Sequence, residues 1–184
     1  MAINLQKGQR ESITAQKFTI GLGWDENQAT AGQDFDLDAS AFLLGENGKL
    51  ISDNHFIFYN NLKSPDEAVV HTGDNLTGDG DGDDEQIVVD LAKIGSTVAE
   101  INVVVTIHDF EARKQNFGQV RNAFIRIVDD SNGTEVMKFE LDEDFSVETA
   151  VEFGRIYKHN NAWKFEAVGM GMSGGLQSFV DKFK

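Results

Sequence analysis

The chain has 184 residues, 40% of them hydrophobic and 26% charged, which suits one folded domain over residues 1–184 and argues against a disordered one. Its 16 Lys and Arg stand against 31 Asp and Glu, a net charge of −15, which disfavours direct contact with nucleic acid and makes cations the natural partners. Cysteine is absent, which removes disulfides, thiolate metal sites, iron–sulfur clusters and thiol nucleophiles. The N-terminal residues hold no apolar stretch of signal-peptide length, and no run reaches the roughly 18 apolar residues of a membrane span. A soluble cytoplasmic protein is expected.

Taken in chain order, the segments between turns are short and rich in β-branched and aromatic residues. Phe18-Thr19-Ile20-Gly21-Leu22-Gly23-Trp24 alternates large with small. Residues 35–42 alternate apolar with polar or small side chains, the period of two that marks a half-buried strand. Glu46-Asn47-Gly48-Lys49 reads as a turn. Further strands are predicted at 54–59, 86–91, 101–107, 123–129, 135–141, 152–158 and 162–169. Asn132-Gly133 signals a two-residue hairpin, and Asn160-Asn161 turns the chain between the last two strands. Helix is the minority: a short one is expected within 110–120 and a single turn from Ser146. An amphipathic helix is expected over 175–184, where Leu176, Phe179, Val180 and Phe183 share a face. The lone proline, Pro65, marks no linker. The pattern predicts a mainly β fold, a two-sheet β-sandwich with a few short helices and the C-terminal amphipathic helix packed on it.

The most informative segment is residues 73–85. It carries Asp74, Asp79, Asp81, Asp83, Asp84 and Glu85 with no Lys or Arg. Crowded carboxylates repel one another, and the interleaved Gly78, Gly80 and Gly82 let the backbone curl and bring carbonyls to one point. Hard cations such as Ca²⁺ take about 6–8 oxygen ligands, from carboxylates, carbonyls, amides and water. A solvated acidic turn is the plain alternative. Alternation of glycine with acid, and the strand-like Gln86-Ile87-Val88-Val89 that follows, favour a cation. The loop is not an EF-hand, because Asp84 stands where the sharp-turn glycine is needed and Asp90 where a bidentate Glu is needed. Nor is it a calcium-binding nonapeptide array, because the unit occurs once. A second acidic group comprises Asp25, Glu26, Asp34, Asp36 and Asp38. In a strand through Phe35 the last three point to one face, opposite Phe35 and Leu37. Salt-bridged basic residues or a cation would have to offset them, and Asp109 follows the 101–107 strand where it can join either group.

Other chemistry is thinly represented. His55, His71, His108 and His159 are scattered and read as structural or surface residues. No GxSxG, SxxK or P-loop pattern occurs. Residues 169–175 are glycine-rich before a helix but lack the lysine of a phosphate cradle. Paired carboxylates in so acidic a loop would hold a cation rather than share a glycosidase proton.

Several segments in order resemble the TerD family of bacterial tellurium-resistance and stress-response proteins, which are similar in turn to calcium-dependent cAMP-binding proteins. They are Leu5-Gln6-Lys7-Gly8, Gly21-Leu22-Gly23-Trp24-Asp25, Phe35-Asp36-Leu37-Asp38-Ala39-Ser40-Ala41, Phe58-Tyr59-Asn60-Asn61, Gly73-Asp74-Asn75-Leu76-Thr77-Gly78, Gly82-Asp83-Asp84-Glu85 and Asn116-Phe117-Gly118-Gln119-Val120. The resemblance covers nearly the whole chain. It implies a cytoplasmic β-sandwich that binds two Ca²⁺ ions, with ligands carried onto Asp25, Asp36, Asp38, Asp74, Asn75, Thr77, Asp83, Asp84 and Glu85. It implies a binding property and a phenotype, and no reaction. The expectation is a non-enzymatic calcium-binding protein whose ions stabilise the fold and a surface for other stress or tellurium-resistance proteins. Peripheral association with the inner face of the membrane, without insertion, is compatible with this reading. Direct reduction of tellurite is disfavoured, since the chain has no thiol. The rival is a metal-dependent nucleotide- or phosphate-handling enzyme.

Overall fold

A computed structural model describes residues 1–25, 32–73, 82–141 and 147–184. In chain order the strands are β1 (Ile3–Asn4), β2 (Arg10–Ser12), β3 (Lys17–Gly23), β4 (Leu37–Leu44), β5 (Phe56–Ile57), β6 (Val69–His71), β7 (Glu85–Asp90), β8 (Glu100–Ile107), β9 (Phe124–Asp129), β10 (Thr134–Glu140), β11 (Ala150–His159) and β12 (Ala162–Met172), with helices α1 (Phe110–Arg113) and α2 (Gly175–Phe183). Among the described residues they form two six-stranded sheets, β1-β10-β9-β3-β7-β6 and β2-β12-β11-β8-β4-β5. The predicted β-sandwich is therefore the fold. No helix among the described residues is long and apolar enough to cross a membrane.

Alternation builds the core. Phe18, Ile20 and Leu22 of β3 face Leu37, Ala39, Ala41 and Leu43 of β4 and Val103 and Val105 of β8, with Phe153 and Phe165 filling the same layer. Burying each large side chain contributes about 1.5–3 kcal/mol. Gly154 sits at a bulge in β11, where a Cβ would collide with the Phe165 ring.

The strand through Phe35, expected to be half-buried, is buried on both faces: every residue of β4 is buried. Its second face lies under α2, where Phe179 and Phe183 pack on Phe42, Leu44, Val104 and Ala150. Polar contacts fix the helix. Thr149 Oγ1 accepts from the amides of Gly174 and Gly175 at 3.2 and 3.1 Å, capping the N-terminus from the residue that precedes β11. Lys182 Nζ lies 2.6 Å from the buried Glu152 carboxylate, and Lys49 Nζ donates to the Lys184 carbonyl at 2.7 Å.

Other elements depart from expectation for local reasons. The strand predicted at 54–59 divides into a 3-10 turn, Asp53–His55, and the two-residue β5. The Asn61 side chain causes this by donating to the Phe56 carbonyl at 2.7 Å, which ends the strand. Helix α1 stops at Arg113 because Lys114 turns left-handed at φ 53°. Ser146 lies outside the described residues, and Val147–Thr149 form no helix. Pairing of Thr134 with Asp129 makes the Asn132-Gly133 connection longer than a two-residue hairpin. Asn160 and Asn161, both at positive φ, do close a two-residue hairpin between His159 and Ala162.

Phe179→Ala should lower stability by roughly 3–5 kcal/mol, read as a fall in the urea midpoint with little change in slope. A loss below about 1 kcal/mol would mean that α2 is a dispensable cover.

Candidate functional site

Three acidic segments converge at one end of the sandwich. β3 and β7 run antiparallel with Leu22 opposite Glu85, so the end of β3 lies beside the start of β7. The start of β4 comes to the same place from the other sheet. Trp24 marks the meeting point: its amide donates to Asp84 Oδ2 at 2.9 Å and its indole Nε1 donates to the Phe35 carbonyl at 3.1 Å. Gly73, after β6, and Gly82, before β7, come to this end, and the predicted ligands Asp74, Asn75 and Thr77 lie outside the described residues.

The remaining predicted ligands take distinct environments. Glu85 points into the core, only 2% exposed, and crosses between the sheets so that its Oε2 accepts from the Ala39 amide at 2.7 Å. β5 pairs with β4 only at Ala41 and Phe42, so Ala39, beyond it, takes its acceptor from the opposite sheet. Asp83 turns to the outer face of the first sheet. There Arg126 Nε donates to its Oδ1 at 2.7 Å and Gln86 Nε2 to its Oδ2 at 3.1 Å. Its carboxylate lies flat over Gly21, whose neighbours across the ladder are Gln86 and Arg126, and a Cβ at Gly21 would collide with it. The Asp83 hydrogen bond, reinforced by Glu135 and opposed by burial, holds the Arg126 pKa above its ordinary value. Asp25 is exposed and accepts from Asn122 Nδ2 at 2.6 Å.

Asp36 and Asp38 are 4% and 5% exposed. The Arg113 guanidinium reaches to 3.6 Å of Asp36, and His108 Nδ1 stands 3.5 Å from Asp38. The acidic face of this strand is thus buried rather than solvated. Among the described residues no three His, Asp or Glu side chains stand together closely enough to hold a metal ion. What the described part contributes at this end is a set of carboxylate and carbonyl oxygens, the donor type that hard cations take.

Two histidines read from sequence as ordinary belong to this end. His71 is buried, with Nε2 3.4 Å from Glu85 Oε2. The Gly73 amide donates to its Nδ1 at 3.2 Å, so the ring carries its proton on Nε2, facing the carboxylate. His108 stands between Asp38 and Asp109, with the Tyr59 ring edge-on at 5.9 Å. His71 follows a Val-Val pair in an unpredicted strand, and only that apolar context could have marked it as interior.

The TerD domain family matches residues 1–183. The chain is 56% identical, over its whole length and 97% of the relative, to tellurium resistance protein TerD of an Alcaligenes species. It is 51% identical, over 96% of its length and 94% of the relative, to general stress protein 16U of Bacillus subtilis. Its fold matches a crystal structure described as a homologue of telluride resistance protein (TerD) from Streptomyces coelicolor A3(2), with a TM-score of 0.71 at 19% identity over 90% of this chain and 95% of that one.

In chelator-treated protein, Glu85→Ala should cost about 1–3 kcal/mol for the orphaned Ala39 amide alone, with a further loss for the cavity. Glu85→Gln keeps an acceptor oxygen and should cost distinctly less in urea denaturation. Equal losses would show that the carboxylate is not what holds Ala39.

Proposed function

The chain belongs to the TerD family, and on that footing we propose a non-enzymatic, cytoplasmic calcium-binding module of the tellurium-resistance and general stress response. The observation that supports this reading is that Trp24 bonds both Asp84 and the Phe35 carbonyl, which brings the segment of Asp36 and Asp38 to the same end of the sandwich as Asp84; Asp74, Asn75 and Thr77 join the proposed ligand set from the sequence motif. Buried carboxylates of like charge are destabilising without a counter-cation. The donors are carboxylate, amide and hydroxyl oxygens, the set that suits Ca²⁺. Asp25 stands at the rim. Asp83 and Glu85 are committed to Arg126 and to Ala39, so they act here as braces that hold the loop's end in place.

Bound calcium would offset the crowded charge and join the loop to both sheets. At a free concentration 100 times its dissociation constant it would add about 2.7 kcal/mol of stability. The surface so formed, with −15 overall charge, is the one we assign to partner proteins of the same response. Relatives named as resistance and stress proteins support a binding role rather than a catalytic one.

Calorimetric titration of chelator-stripped protein with Ca²⁺ and with Mg²⁺, run beside thermal melts, tests the proposal. Calcium-selective binding with a raised melting temperature is expected. Asp36→Asn combined with Asp38→Asn should weaken calcium binding at least about tenfold while leaving the metal-free melting temperature unchanged or higher. Flat titrations would contradict the reading. Metal-dependent phosphate release from a nucleotide, lost in Asp38→Asn, would replace it with an enzyme.

A further inference from the structure

A cavity of about 440 Å³ opens beside His108, between α1 and the start of α2. Its aromatic side is held from the interior. Phe42 stacks on Phe56 with ring centroids 4.4 Å apart, Phe56 stacks on Phe58 at 4.4 Å, and Phe58 meets Tyr59 edge-on at 5.2 Å. Tyr59 in turn meets the His108 ring at 5.9 Å. Phe110 and Glu111 line the cavity from α1, and Leu176 from α2.

The charge of this cavity is one-sided. Asp38, Asp109 and Glu111 line it, and no Lys or Arg among the described residues does. The neighbouring Arg113 is turned elsewhere, with Nη1 donating to the Asp34 carbonyl at 3.3 Å and Nη2 3.6 Å from Asp36. The first amides of α2 are taken by Thr149 Oγ1 and offer nothing to an anion. A metal ion needs its ligands gathered in one coordination sphere, and no three acidic or His side chains among the described residues stand so close. Negative charge spread between aromatic rings suits a larger, delocalised cation. A guanidinium is planar, donates to carboxylates through several N–H groups and stacks on aromatic faces.

We propose that this cavity receives an arginine side chain from a partner protein. The inference rests on the partner-binding half of the reading above, whose partner it characterises, and is independent of calcium. Arg and Tyr are enriched among the residues that carry interface affinity, and the net charge of −15 steers a basic partner toward this surface. Asp109 and Glu111, both exposed and outside the proposed calcium ligands, supply the charge at the rim.

The test adds N-acetylarginine methylamide to the isotope-labelled full chain in chelator and follows the protein's resonances. Saturable shifts are expected at the Tyr59 and Phe110 rings and the Leu176 methyls, while the neutral isostere N-acetylcitrulline methylamide leaves them in place. Asp109→Asn combined with Glu111→Gln should weaken binding about threefold or more with little change in melting temperature, and Tyr59→Leu about threefold. Equal shifts from both probes, shifts that grow without saturation at acidic residues all over the surface, or an unchanged affinity in the double variant would overturn the inference. Tighter binding of free arginine than of the blocked probe would also overturn it, by making the ligand an amino acid instead of a protein. Calcium binding without arginine binding would overturn this inference alone; arginine binding with flat calcium titrations would support it and remove calcium.

Discussion

The hydrogen bond from the Ala39 amide to the Glu85 carboxylate, at 2.7 Å in the core, is the constraint on which this end of the molecule depends. Sheets in a sandwich normally meet through apolar side chains alone, because a polar group placed between them must be satisfied or costs several kcal/mol. Here a carboxylate is accepted in the interior because the short β5 leaves β4 without a ladder partner at Ala39. The backbone vacancy in one sheet and the acidic residue in the other answer each other. His71, with its Nε2 proton facing the same oxygen, completes the arrangement.

The rest of the acidic end is organised around that tie. Since Glu85 points inward, the chain just before it must turn sharply, and Asp83 and Asp84 face elsewhere. Asp84 takes the Trp24 amide, and Asp83 reaches over Gly21 to Arg126. The chain that follows residues 74–81 is therefore held to β3 through Asp83 and Asp84, while Glu85 holds it to β4. Asp36, just before β4, and Asp38, within it, are buried instead of lying in water. The Arg113 guanidinium and the His108 ring lie 3.6 and 3.5 Å from them.

Much of the fold is legible in the chain. Period-two patterning marks β3, β4 and the long strands from β7 to β12, and the 3/4 spacing of Leu176, Phe179, Val180 and Phe183 marks α2. What is not legible depends on contacts between distant segments. β4 reads as half-buried because Asp36, Asp38 and Ser40 are polar, and the docking of α2 on Phe42 and Leu44 with Arg113 and His108 beside the two carboxylates makes their face interior. Gly21 reads as a small residue in an alternating strand, although its role is to admit the Asp83 carboxylate. β6 is too short to show a period, so His71 passes as ordinary. The acidic motifs identify the region of the site, but adjacent residues such as Asp83, Asp84 and Glu85 part company according to which face of β7 they meet.

The central claim, that a cation gathers the acidic end and leaves the opposite end untouched, is tested most directly by amide hydrogen exchange with and without calcium. The account predicts that added Ca²⁺ slows exchange at Trp24, at Leu37 to Ala39 and at Asp84 to Gln86. The turns at Gly45 to Gly48 and at Asn160-Asn161, away from this end, should exchange at an unchanged rate. No change on adding calcium, or slowing spread evenly over both ends, would contradict it.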